Sequence, residues 1–257
     1  MKKFNLVGLS ALGLSAFIYR SNHRLQEHFI EIENSKINTK LRIVHLSDCH
    51  IPYQTVNLER IVNEVKKLHP DLIVITGDLL DRDHQPKDLE TLHRWISKLA
   101  KLCLVVACEG NHDYRMVTSQ NDRFIICRDE SIHLTINETE LQIIGVKPMT
   151  TYQKEVNKDR LTLVLDHYPQ NVSLLKTHQN IYQFSGHVHG GQFRFFNQGV
   201  YGPGQGFFPK YSKGYYGFSE ISGLIVSAGL GASMFPLRLN NPNHLVVVDF
   251  LGLRYNK

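Results

Sequence analysis

Five short stretches of this 257-residue chain place side chains at spacings that hold divalent metal ions: Asp48-Cys-His50, Gly77-Asp78, Gly110-Asn-His-Asp113, Asp166-His167 and Gly186-His-Val-His-Gly-Gly191. In extended chain, residues two apart point to the same side, so Asp48 and His50 act together while Cys49 points away, and His187 and His189 form a second pair. Glycines flanking that pair let backbone approach whatever the rings hold. Imidazole, carboxylate and amide oxygen together suit manganese, iron or zinc rather than a thiolate zinc site. Asp48, His50, Asp78, Asn111, His167, His187 and His189 are enough for two ions sharing one carboxylate, and two ions clamp the attacking and leaving oxygens of a displacement at phosphorus.

The elements that must position these residues follow from periodicity. Leu41–Ser47, Asp71–Thr76 and Leu102–Ala107 read as strands. A helix capped by Asn57 sets Leu58, Ile61, Val62, Val65 and Leu68 on one face and stops before Pro70. A second helix runs from about Pro86 to Ala100. Strand, helix, strand, helix, strand predicts a parallel sheet whose carboxyl ends open onto one crevice, and three of the five stretches lie there. Further on, short β-like runs at 124–127, 132–136, 141–146, 161–165, 224–227 and 245–250 predict an antiparallel or mixed sheet.

The net charge of +5 is concentrated at the start, where Lys2, Lys3, Arg20 and Arg24 precede any acidic residue. The remainder is close to neutral, which argues against a nucleic-acid groove and against a nucleic-acid partner. Between Phe4 and Tyr19 there is no charge at all. Residues 1–24 are therefore expected to be a membrane anchor or uncleaved signal segment, associating the protein with a membrane on a side the flanking charges leave open. Cys49, Cys103, Cys108 and Cys127 show no CxxC spacing. A strand would hold Cys103 and Cys108 about 17 Å apart, so buried free thiols are expected.

With these motifs in order, the chain resembles the calcineurin-like metallophosphoesterases, whose DxH, GDxxD, GNHD, H and GHxHGG pattern corresponds to Asp48–His50, Gly77–Asp81, Gly110–Asp113, His167 and Gly186–Gly191. The segment Ser227-Ala-Gly-Leu-Gly-Ala-Ser-Met-Phe-Pro-Leu-Arg238 makes it similar to the bacterial membrane-associated branch, with enzymes like UDP-diacylglucosamine pyrophosphatases. Pro52 and Asn240-Asn-Pro-Asn243 depart from the family pattern without removing a ligand.

The resemblance implies an α/β fold, a calcineurin-like β-sandwich flanked by helices in four α/β/β/α layers, with residues 41–257 as the metallophosphoesterase domain. It also implies Asp48, His50 and His189 on one ion, Asn111, His167 and His187 on the other, and Asp78 bridging. His112 would face the phosphoryl group as the catalytic residue, oriented by Asp113, while Asp81 reads as a loop or helix-entry residue. The expected activity is hydrolysis of a phosphodiester or diphosphate by a metal-bound hydroxide, with two divalent ions, manganese first, and a phosphorylated, lipid-linked small molecule as substrate. A nuclease or cyclic-nucleotide phosphodiesterase and an inactive membrane-tethered metal-binding scaffold are the competing readings. The aromatic-rich stretch from Phe193 to Tyr216 either packs upon itself or lines a groove for an acyl chain.

Overall fold

The computed structural model describes residues 15–113, 121–150, 155–232 and 237–253. After a helix over residues 15–23, the chain forms two six-stranded sheets packed face to face. Strands of the first are β1 (Leu25–Glu33), β2 (Leu41–Leu46), β3 (Leu72–Thr76), β4 (Leu104–Cys108) and β5 (Phe124–Ile126). The second takes β6 (Glu130–Ile136), β7 (Thr139–Gly145), β8 (Leu161–Leu165), β9 (Ile181–Ser185), β10 (Gly214–Ser219) and β11 (Ser222–Val226), before β12 (Asn243–Leu251) returns to the first. Spatial orders are β1-β12-β2-β3-β4-β5 and β10-β11-β9-β8-β7-β6.

β2 through β5 are mutually parallel, as the strand–helix alternation requires. The second sheet is mixed: β11, β9, β8 and β7 run parallel between two antiparallel edges. Helices α1 (Leu58–Leu68) and α2 (Pro86–Ala100) cover the outer face of the first sheet. Asn57 caps α1 by accepting from the Glu59 and Arg60 amides, and His69 ends it in the left-handed region before Pro70. Asp88 caps α2 by accepting from the Gln85 amide at 2.8 Å. Ile61, Val65, Leu92, Trp95 and Leu99 meet the sheet in one apolar layer, and a second layer between the sheets joins Leu41, Ile43 and Val248 to Leu163 and Phe184.

Three expectations are revised. The fourth layer is thin, because the only helix described on the outer face of the second sheet is α3 (Ser173–Thr177), and Val156, Val188 and Tyr211 from loops complete the cover. The folded body begins before residue 41: β1 pairs with β12 over nine residues, with Ile30 and Ile32 alternating into the core. Its charged and polar positions mask a strand that contributes only alternate side chains. Strand β9 carries no clear apolar run for a similar reason: buried Gln183 interrupts it, bonding instead to Ser185 Oγ and the Tyr168 carbonyl.

Residues 1–14, most of the expected anchor, lie outside the described residues. Among the described residues no helix is long and apolar enough to cross a membrane. The end of the 1–24 segment belongs to the folded body, since Ser21 and Asn22 are buried and Asn22 bonds to Arg238 and Asn243. The four cysteines are free; Cys49, Cys108 and Cys127 are buried and Cys103 is half-buried.

Candidate metal centre

The loops after β2, β3 and β4 meet at the carboxyl end of the first sheet, and the loops after β8 and β9 close over them from the second. The approach leaves no room for larger side chains. A Cβ on Gly77, whose φ is +83°, would lie 2.2 Å from the Gly110 nitrogen, and one on Gly186 would strike Asp48 Oδ2. Asp48, His50, Asp78, His187 and His189 all have positive φ, a conformation that costs non-glycine residues energy and clusters at functional sites.

Two groups of donors result. In one, His50 Nε2 and His189 Nε2 are 3.2 Å apart, with His189 Nε2 3.6 Å from Asp48 Oδ1. In the other, His167 Nε2 is 3.2 Å from both His187 Nδ1 and Asp78 Oδ2. Asp78 stands between them, its Oδ2 also 3.6 Å from His50 Nε2. Two ligands on one ion at 2.0–2.2 Å are separated by about 3.0–3.6 Å, so these spacings are those of donors converging on a common cation. Asn111 Oδ1 is a buried oxygen with no hydrogen-bond partner. An orphaned carbonyl on the pocket that Asp78 and His187 also line is the atom a metal ion would satisfy, and the donor set fits two ions.

Electrostatics point the same way. Burial alone would raise Asp78, but the imidazoles of His167, His50 and His112 hold its carboxyl well below the usual range. His167 is opposed by burial yet pushed up to about 10 by Asp78 and Asp48. Burial, followed by repulsion from His167, drives His187 down to about 3. The backbone orients the rings as well: His167 Nδ1 donates to the Thr76 carbonyl at 2.7 Å, leaving Nε2 for the centre.

His112 flanks the centre, its amide donating to Asp78 Oδ1 at 2.8 Å. The expected role of Asp113 is corrected. Its carboxylate is buried and accepts from the amides of Asp78, Leu79, Leu80 and Gly110, so it ties two loops together and does not orient His112. Asp81 is the carboxylate near the ring: Oδ1 lies 3.5 Å from His112 Nδ1, and Oδ2 lies 3.0 Å from His50 Nδ1. The sequence marks it as a loop residue three positions beyond Asp78, and the turn of that loop brings it back to the rings.

A pocket of about 330 Å³ opens over the centre, lined by Asp78, Asn111, His112, His187 and His189 and also by Arg82, Gln192 and Tyr201. Arg82 and Tyr201 have no motif to mark them, whereas Gln192 directly follows the Gly186–Gly191 stretch. Arg238 was visible within the 227–238 segment, but its part was not. It is fully buried, donating to the Ala228 and Gly231 carbonyls, and the same stretch pins the first loop through the Leu230 amide to the Ser47 carbonyl. Cys49 is buried in the apolar layer under the helices, away from the donors.

The fold and centre define a metal-dependent phosphoesterase. The family profile of the calcineurin-like phosphoesterases matches residues 41–191, and the chain belongs to that family. It is 27% identical over 208 residues to the metallophosphoesterase YkoQ of Bacillus subtilis, an alignment covering 73% of this chain and 77% of that one. It is 30% identical over 106 residues to the UDP-2,3-diacylglucosamine pyrophosphatase LpxG of Chlamydia trachomatis, covering 40% of this chain and 30% of LpxG. The 5'-nucleotidase precursor of Thermus thermophilus shares the fold with a TM-score of 0.50 at 14% identity; 75% of this chain is covered, but only half the length of that one.

Proposed function

We propose that this chain is a two-metal phosphoesterase acting on a phosphodiester or diphosphate bond in a lipid-linked substrate. The observation that carries the reading is Asp78, set between two groups of donors each spaced for one ion. Asp48, His50 and His189 would hold one ion and Asn111, His167 and His187 the other, with manganese the first candidate for this donor set. Such a pair, when bound, makes a nucleophile available at neutral pH and neutralises charge at phosphorus.

The chain's own residues do the rest. His112 borders the pocket and reaches the leaving oxygen, where it either gives up a proton or donates a hydrogen bond to the developing charge. Arg82 at the rim adds a positive charge for a non-bridging oxygen or a second phosphate. Tyr201 lines the pocket and meets Phe207 edge-on at 5.5 Å, and Phe207 and Phe208 are largely exposed beside it. These rings favour a substrate with an apolar tail, and the uncharged run from Phe4 to Tyr19 favours membrane association.

The test is a panel of substrates offered to metal-loaded protein: a phosphomonoester, a soluble diester, a nucleoside-diphosphate lipid and DNA. Fastest turnover of the nucleoside-diphosphate lipid is expected. Preference for DNA would overturn the substrate assignment, and no turnover of any substrate would overturn the enzymatic reading.

A further inference from the structure

A second pocket, of about 520 Å³, shares no residue with the metal centre. It is lined by Arg24, Gln26, His28, Arg194, Asn197, Lys213, Asn240 and Pro242, and so contains two arginines, one lysine and no carboxylate. It lies where the edge strands of the two sheets, β1 and β10, come together. Gln26 and His28 project from β1, Lys213 leads into β10, and Arg194 comes from the short hairpin 194–199 beyond the His189–Gly191 turn.

Among the described residues the cations have no anionic partner. Arg194 is 8% exposed and donates only to neutral oxygens, those of Gly190, Asn197 and Ser212. Lys213 is half-buried, and its one described partner is Gln26 Oε1 at 3.4 Å. Burial, followed by repulsion from Arg194, Arg238 and Arg24, lowers Lys213 to about 8. His28 adds a further donor. His244 Nδ1 accepts from the Ala228 amide, so its Nε2–H faces His28 Nδ1 at 3.1 Å and leaves Nε2–H as His28's free group. Arg24 is exposed, but Arg194 and Lys213 lie under cover without a counter-charge, which is costly, and an anion with several acceptor oxygens removes that cost.

The surroundings indicate where the anion comes from. Phe195 and Phe196 follow Arg194 in its hairpin, 58% and fully exposed. Phe17 and Tyr19, also exposed, lie on the helix that ends immediately before Arg24. Both elements rest on the 238–243 segment, through the Arg194 amide to Leu239 and through Asn22 to Arg238 and Asn243. Aromatic rings in water beside a cationic pocket match the interface of a bilayer, where rings sit at headgroup depth and cations meet phosphate.

We propose that the pocket formed by Arg24, His28, Arg194 and Lys213 binds the phosphate group of an anionic phospholipid and so sets the face that the protein presents to a bilayer. The inference does not depend on what the metal centre hydrolyses.

The test uses the full-length, metal-loaded protein, Lys213→Gln and, as a control of equal charge, Lys87→Gln on the exposed face of α2. Binding is measured to phosphatidylcholine vesicles and to vesicles that also contain phosphatidylglycerol. Association through the N-terminal run contributes to both, so the ratio isolates the headgroup. The wild type and Lys87→Gln should share a preference for phosphatidylglycerol that Lys213→Gln loses about fivefold, the effect of one basic residue at a membrane surface. Equal preference in all three proteins would overturn the proposal, as would a Lys213→Gln defect confined to inorganic phosphate or DNA. Melting in phosphate-free buffer gives a second reading: removing an unpaired cation should leave Lys213→Gln at least as stable as wild type. A lower melting temperature would show that Lys213 serves packing and would equally overturn the proposal.

Discussion

His50 and Asp81 are joined Nδ1 to Oδ2 at 3.0 Å, so the ring presents its other nitrogen to Asp78 and His189. A carboxylate behind a ligating imidazole fixes its tautomer and raises its basicity. Asp81→Ala is therefore expected to weaken metal affinity roughly 10- to 100-fold at the site that His50 serves. Calorimetric metal titration checks this, and Asp81→Asn, which can still accept at Nδ1, should recover part of the loss.

Metal content should be two ions per chain with excess manganese, as the paired donor groups require. Asp78→Asn should reduce occupancy of both sites, and His167→Ala mainly one. Elemental analysis distinguishes these outcomes. Because protons must leave His167 before it can ligate, occupancy should fall as pH is lowered.

His112→Ala is expected to lose on the order of 10²- to 10⁴-fold in kcat while keeping both ions, the scale of general acid catalysis. A leaving group of low pKa needs little protonation. Smaller losses on aryl than on alkyl esters would identify His112 as a proton donor, and equal losses would assign it to charge stabilisation.

His45 is fully buried on β2, where burial lowers it to about 3 and its Nε2 meets Thr76 Oγ1 at 2.8 Å. The unfolded chain takes up this proton near pH 6.5, and the folded protein does not until about pH 3. Stability is thus fully present above pH 6.5 and is lost as pH falls, at about 1.4 kcal/mol per unit from this residue. Urea titrations across that window should show a shallower acid decline for His45→Gln, whatever its stability at pH 8.

Deleting residues 1–24 should lower the melting temperature by several degrees relative to deleting residues 1–14. The longer deletion removes the Asn22 bonds to Arg238 and Asn243, each worth about 1 kcal/mol. Differential scanning calorimetry of the two truncations checks the difference.

Residue type and local spacing were sufficient for the parts of this protein that obey local rules. The Asn57 cap, the α1 face and the parallel strands depend on periodicity and side-chain direction over a few residues, and these are legible in one dimension; Asp48, His50, His187 and His189 were legible as donors, but their positive φ sends His187 to one donor group and His189 to the other. What tertiary structure decided depends on groups distant in sequence. Asp113 became a clamp on four amides because two loops meet around it, and Asp81, set apart by sequence, turned back between His50 and His112. The cationic pocket brings Arg24, Arg194 and Lys213 together from segments about 190 residues apart at the widest, and a charge pattern spread that thinly has no signature along the chain. Coulomb energy depends on separation in space, and only the packing of the two sheets sets that separation.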